Sequence, residues 1–121
     1  MDRRRLLVEL YEAHGRRDIE AALRHFTDDV AWPDVAKART IHGHDAVRAY
    51  WTAQFAEIDP HVDPTTITLD GDTAVVEVHQ VVRALDGSLL AEQDVIHTYT
   101  FRDDLIAAME VTSGSPPSPH R

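Results

Sequence analysis

The chain has 121 residues, 43% of them apolar and 27% charged, with 12 Lys and Arg against 21 Asp and Glu for a formal net charge of −9. That length supports one domain with a modest core and room for one pocket. The absence of cysteine removes disulfides, thiolate nucleophiles and thiolate metal sites, the acidic balance argues against nucleic acid, and no run approaches the ~20 apolar residues that span a bilayer.

The start, Arg3-Arg4-Arg5 before Leu6-Leu7-Val8, has the basic opening of a signal peptide, but Glu9 and Glu12 interrupt any apolar core. A cytoplasmic protein is the expectation. Leu7, Leu10, Tyr11 and His14 keep the i, i+3, i+4, i+7 spacing of an amphipathic helix that ends near Gly15. Asp18 reads as the N-cap of a second helix, with Glu20 in its first turn and a stripe of Ile19, Ala22, Leu23 and Phe26 that runs to Thr27.

The stretch Thr27-Asp28-Asp29-Val30-Ala31-Trp32-Pro33-Asp34 turns the chain from helix to sheet. If extended, it puts Val30, Trp32 and Asp34 on one face, a carboxylate beside a tryptophan. Residues 36–42 form a short strand, Gly43 breaks it, and His44 or Asp45 caps a third helix that carries Val47, Tyr50, Trp51, Phe55 and Ile58 inward until Asp59-Pro60 closes it.

Beyond Pro64, β-branched residues become dense and turn signals frequent. Strands are expected over 65–69, 73–84, 89–102 and 105–112, the first pair joined at Asp70-Gly71-Asp72, in antiparallel meander order. The domain then covers 1–112, and the Pro- and Ser-rich tail 113–121 is expected to be disordered.

Strand alternation sorts the polar groups by face. Ala74, Val76, Val78, Gln80 and Val82 share the core face of one strand, and Gln93, Val95, His97, Tyr99 and Phe101 that of the next. Gln80 and His97 therefore point inward among apolar neighbours, where each needs a polar partner. Taken singly, His97 reads as a satisfied core histidine and Asp34 as the residue that shapes a turn after Pro33. Together with Gln80 and Tyr99 they suggest a small-molecule pocket with apolar walls and few polar anchors.

His42 and His44 flank Gly43 without a third ligand at metal-binding spacing, so no metal is expected. His79, beside Glu77 and Arg83, belongs to the outer face or to a dimer contact. His14 reaches toward the pocket from below. No Ser-His-Asp order, Gly-rich phosphate loop or nucleotide fingerprint is present.

Tyr11-Glu12-Ala13, Asp18-Ile19-Glu20-Ala21-Ala22, the run from Phe26 to Trp32, and the run from His42 to Trp51 resemble the SnoaL-like and ketosteroid-isomerase-like branch of the nuclear transport factor 2 superfamily over roughly residues 5–112. The resemblance implies an α+β cone, with three N-terminal helices packed on a strongly curved, mostly antiparallel sheet that encloses a pocket. It also implies a homodimer through the outer sheet face.

Against the isomerase pattern, Asp34 falls at the proton-shuttling base, His97 at the acid that donates to the enolate oxygen, and Leu10 at the oxyanion-hole tyrosine. Tyr11, one residue on and about 100° round the helix, is too far to substitute, which argues against the steroid reaction itself. An epoxide hydrolase of the superfamily uses an Asp-Arg-Asp set, and no arginine is placed on the inward face here.

The expected catalytic pair is Asp34 and His97, with burial raising the carboxylate toward the range of a useful base. Trp32, Gln80, Tyr99, Leu10, His14, Trp51, Phe55 and Met109 form the expected substrate-binding wall. The implied function is cofactor-free acid/base chemistry, of isomerase, cyclase or dehydratase type, on a small apolar carbonyl-containing or polyketide-like compound. A non-catalytic ligand-binding or assembly module of the same fold stays open beside it.

Overall fold

The computed structural model describes residues 2–113. Helix α1 spans Arg3–Gly15, opened by Asp2, whose carboxylate accepts from the Arg5 N–H at 2.8 Å, and its inward stripe is Leu6, Leu7, Leu10, Tyr11 and Ala13. Asp18 caps α2, Ile19–Leu23, by accepting from the Ala21 N–H at 3.1 Å. This helix is shorter than its apolar spacing predicts, because Phe26 already belongs to strand β1, Phe26–Asp34. Phe26 is buried from the sheet rather than from the helix.

β1 turns back antiparallel into β2, Arg39–His42, and Gly43 leads into α3, His44–Glu57. The N-cap of α3 is Gly43 itself, with no side-chain cap, so neither His44 nor Asp45 has the capping role expected of it. Gly43 has φ +89, a left-handed value natural to glycine, and its N–H donates to Val30 O at 2.9 Å. His44 instead turns its Nε2 to Phe26 O, 3.1 Å away.

Strand β3 starts at once, Ile58–Asp70, followed by β4, Thr73–Ala84, β5, Leu89–Arg102, and β6, Leu105–Ser113. Asp59-Pro60 does not close a helix but lies inside β3. The sheet order β2-β1-β6-β5-β4-β3 explains why: β3 is an edge strand, where Pro60 and Pro64 can lack an N–H without breaking an inner ladder, and a bulge after Pro64 absorbs Thr65. Strands 73–84, 89–102 and 105–112 appear where expected, the last extended by Ser113. From residue 114 on, the expected disordered tail lies outside the described residues.

The antiparallel meander β3-β4-β5-β6 forms as expected and is extended to a six-stranded sheet, because β1 docks parallel against β6, Ala31 opposite Ala108, and brings β2 with it. Three helices on a curved, mostly antiparallel sheet make the expected α+β architecture. Between the layers lies a core of Leu7, Leu23, Phe26, Val30, Val47, Val76, Val78, Tyr99 and Ile106. Among the described residues no helix is long and apolar enough to cross a membrane.

Candidate functional site

Asp34 ends β1 opposite Arg39, across the turn 35–38. Its side chain is buried to 3% exposure, yet both oxygens are engaged: Oδ1 accepts from the Lys37 N–H at 3.3 Å and Oδ2 from Arg39 Nε at 3.1 Å. The turn-shaping reading of Asp34 is thus realised, since an acid at the start of a tight turn accepts from a backbone N–H two or three residues on. Sequence placement did not anticipate the partner of Asp34, which is Arg39, a largely exposed arginine that reaches the carboxylate from the facing strand. Its signal was the hairpin register, which pairs the two residues only once the turn is known.

Asp34 lines a cavity of about 690 Å³ between the β1–β2 hairpin and α3. Ala46, Ala49 and Ala53 supply one wall at helical spacing, their methyl groups leaving room where larger side chains would fill it, and Ile41 and Ile58 add apolar surface. Tyr50 and Gln54 bring polar groups, the Gln54 amide 3.4 Å from the phenol oxygen. Burial, and then the Asp34 charge, push the Tyr50 phenol above its ordinary value, so it stays a donor at neutral pH. A space of this size suits one small ring-bearing compound.

His97 does not share that wall. It is buried on β5, where its Nδ1 lies 2.7 Å from the Tyr11 hydroxyl, and the Tyr99 hydroxyl donates to the same Tyr11 oxygen at 2.8 Å. Because Tyr11 accepts from Tyr99, its own proton goes to Nδ1, and the imidazole carries its hydrogen on Nε2. Burial lowers His97 to about 4, so this tautomer is neutral at pH 7. Burial likewise raises both phenols.

Tyr11, one residue on from Leu10, does not line the Asp34 cavity. Both face inward from α1, at 7% and 3% exposure, and Tyr11 is long enough to cross to β5. Both residues reach the interior because a helix packed into a concave sheet buries well over 100° of its surface. Tyr11→Phe should leave the Tyr99 hydroxyl and His97 Nδ1 without partners and cost about 1–3 kcal/mol of stability, read by urea denaturation.

The other expected wall residues are packed in this interior. Trp32 touches Phe26, Trp51 and Tyr99 at ring-centroid distances of 4.9, 5.4 and 6.5 Å, and Leu10 and Met109 are core. Trp32 and Tyr99 thus pack against each other, and the Tyr99 ring lies 6.2 Å from that of His97. His14 lies edge-on to Trp51 at 5.6 Å and Phe55 at 5.2 Å, with its Nδ1 buried and unpartnered among the described residues. Burial, and then the charge of Arg17, lower it to about 4.

Gln80 is half-buried on β4, opposite Gln93. On the outer face His79 bridges Asp94 and Glu92, each at 2.8 Å, and these carboxylates raise its pKa. Among the described residues no group of three or more His, Asp or Glu side chains is arranged to hold a metal.

A family model described as a SnoaL-like domain matches residues 7–109. Among solved structures, an NTF2-like protein of unknown function from Burkholderia pseudomallei superposes with a TM-score of 0.82 at 27% identity, covering 93% of this chain and 92% of that one. TerC, co-crystallised with polyporic acid, gives 0.81 at 24% identity, covering 92% and 90%. SalBIII, an epoxide hydrolase/cyclase-like enzyme of pyran ring formation in the polyether salinomycin, gives 0.78 at 17%, covering 93% and 90%. The comparison with curated proteins found no match.

Proposed function

This chain belongs to the SnoaL-like domain family, and from that premise we propose that it is an acid/base enzyme, working without a cofactor, on a small, largely apolar carbonyl compound. The observation that carries the proposal is the buried Asp34 carboxylate on the wall of a ring-sized, alanine- and isoleucine-lined cavity. Asp34 takes a proton from the carbon beside the carbonyl and returns it at another carbon or to a leaving oxygen. Tyr50, still protonated and near enough to feel the Asp34 charge, donates to the oxygen on which the negative charge develops.

That one similar fold was crystallised with polyporic acid and another serves pyran ring formation supports a ring-bearing substrate class. A second reading gives the oxygen-side contact to His97. It is favoured by the neutral imidazole whose Nδ1 is occupied by Tyr11, which leaves Nε2–H for a substrate oxygen. Ligand binding without turnover is the alternative to both, and the engaged oxygens of Asp34 favour it.

Solvent deuterium incorporation beside the carbonyl of a two-ring ketone such as 2-tetralone separates catalysis from binding. Wild type should accelerate it and Asp34→Asn should not, while binding without exchange in wild type would leave only the ligand-binding reading. The homodimer through the outer face of β4 and β5 belongs to the same proposal, with Val75 and His79 at its surface. Sedimentation equilibrium should give twice the chain mass, and a monomer would remove this element.

A further inference from the structure

The Asp34 cavity has a charge pattern that an apolar ketone does not use. Arg39 donates to Asp34 through Nε alone, its side chain is 58% exposed, and its two terminal nitrogens make no hydrogen bond among the described residues. Lys37, the single lysine of a chain with net charge −9, lines the same cavity, and among the described residues its side chain pairs with no carboxylate. Elsewhere Arg3 pairs with Asp72, Arg17 with Asp59, Arg48 with Glu20 and Asp45, and Arg102 with Asp29, while Arg4 and Arg83 donate to backbone carbonyls. At this cavity two carboxylates, Asp34 and Glu57, share the lining with two cations with spare donors, Arg39 and Lys37. Opposite them, the methyl groups of Ala46, Ala49 and Ala53 form a flat, shallow wall suited to the face of a planar ring.

Resting on the reading of this cavity as the ligand site, we propose that its ligand is a flat ring compound bearing one acidic oxygen group, a carboxylate or an ionised enol, held by the free nitrogens of Arg39 with Lys37 beside it. A guanidinium offers its Nη pair in the plane and spacing that two anionic oxygens need. The ring lies against the alanine wall and Ile41, and its anionic edge meets the cations at the rim. Arg39 is then the specificity residue.

Isothermal titration of the full chain with 2-naphthoate and its uncharged counterpart 2-naphthamide tests this. Wild type should bind the carboxylate about tenfold tighter or better, and the preference should shrink as salt rises. In Arg39→Gln the two ligands should bind alike. Arg39→Lys should keep part of the preference, as a charge without the planar fork. Ala49→Trp, on the exposed side of α3, should weaken both ligands by filling the slot. Equal binding by wild type, or a preference that survives Arg39→Gln, overturns the anion assignment while leaving the cavity a ligand site. Failure of both compounds to bind overturns it as well, and deuterium exchange into 2-tetralone then judges the acid/base reading on its own.

Discussion

Asp34→Asn is expected to lower deuterium exchange into a cyclic ketone by about 10²–10⁴-fold, the range that a positioned general base supplies. The substitution suits the question because it removes the base while keeping the shape. Asn retains an oxygen for the Lys37 N–H, and Arg39, already largely exposed, can be solvated when its anionic partner is lost. No buried charge is stranded, so the stability cost should stay near ~1 kcal/mol. A variant that binds as wild type but does not exchange places the proton transfer at Asp34. Full exchange in the variant would move the chemistry elsewhere, with His97 the first alternative.

The second large effect is on stability in acid. His14 and His97 both lie near 4 in the folded protein against an ordinary 6.5, because burial penalises their charged forms. Between those values the unfolded chain binds protons that the folded chain refuses. The stability they contribute is therefore complete above pH 6.5 and is lost as pH falls toward 4. A gap of about 2.5 pH units at ~1.4 kcal/mol each makes about 3 kcal/mol per histidine, and the two together rival a typical net stability of ~5–15 kcal/mol.

Urea denaturation should accordingly show a steep loss between pH 6.5 and about 4.5, and His97→Gln should roughly halve the slope. Glutamine can still accept from Tyr11, so the comparison isolates the proton. A flat stability over this range would mean that the imidazoles are reached by water. The exposed His79, raised by Asp94 and Glu92, acts in the opposite sense: it favours the folded state below pH 6.5 and loses that contribution as pH rises through its higher folded value.

Much of the fold was legible because its rules are local. The cap at Asp18, the turn at Gly71 and the alternation of 73–84 and 89–102 depend on neighbours in the chain, and those elements stand where their residues put them. The same alternation placed His97, Tyr99, Val30, Trp32 and Asp34 inward, and all five are buried. Where local rules misled, a distant partner had overruled them. Phe26 left its helical stripe because β1 pairs with β6, and Pro60 sits in a strand because that strand is the sheet's edge.

The candidate site divides in the same way. By itself the sequence determined that an acid and an imidazole face inward, since period-two alternation decides the side on which each residue lies. Only the tertiary structure decided what each one meets. The hairpin register gives Asp34 to Arg39, and the reach of Tyr11 across the layer gives His97 to a tyrosine pair. Trp32 packs against Tyr99 and Trp51, and His97 does not line the Asp34 cavity. Facing direction is a property of one strand, whereas partnership requires two elements in register, and no spacing within either one encodes the distance between them.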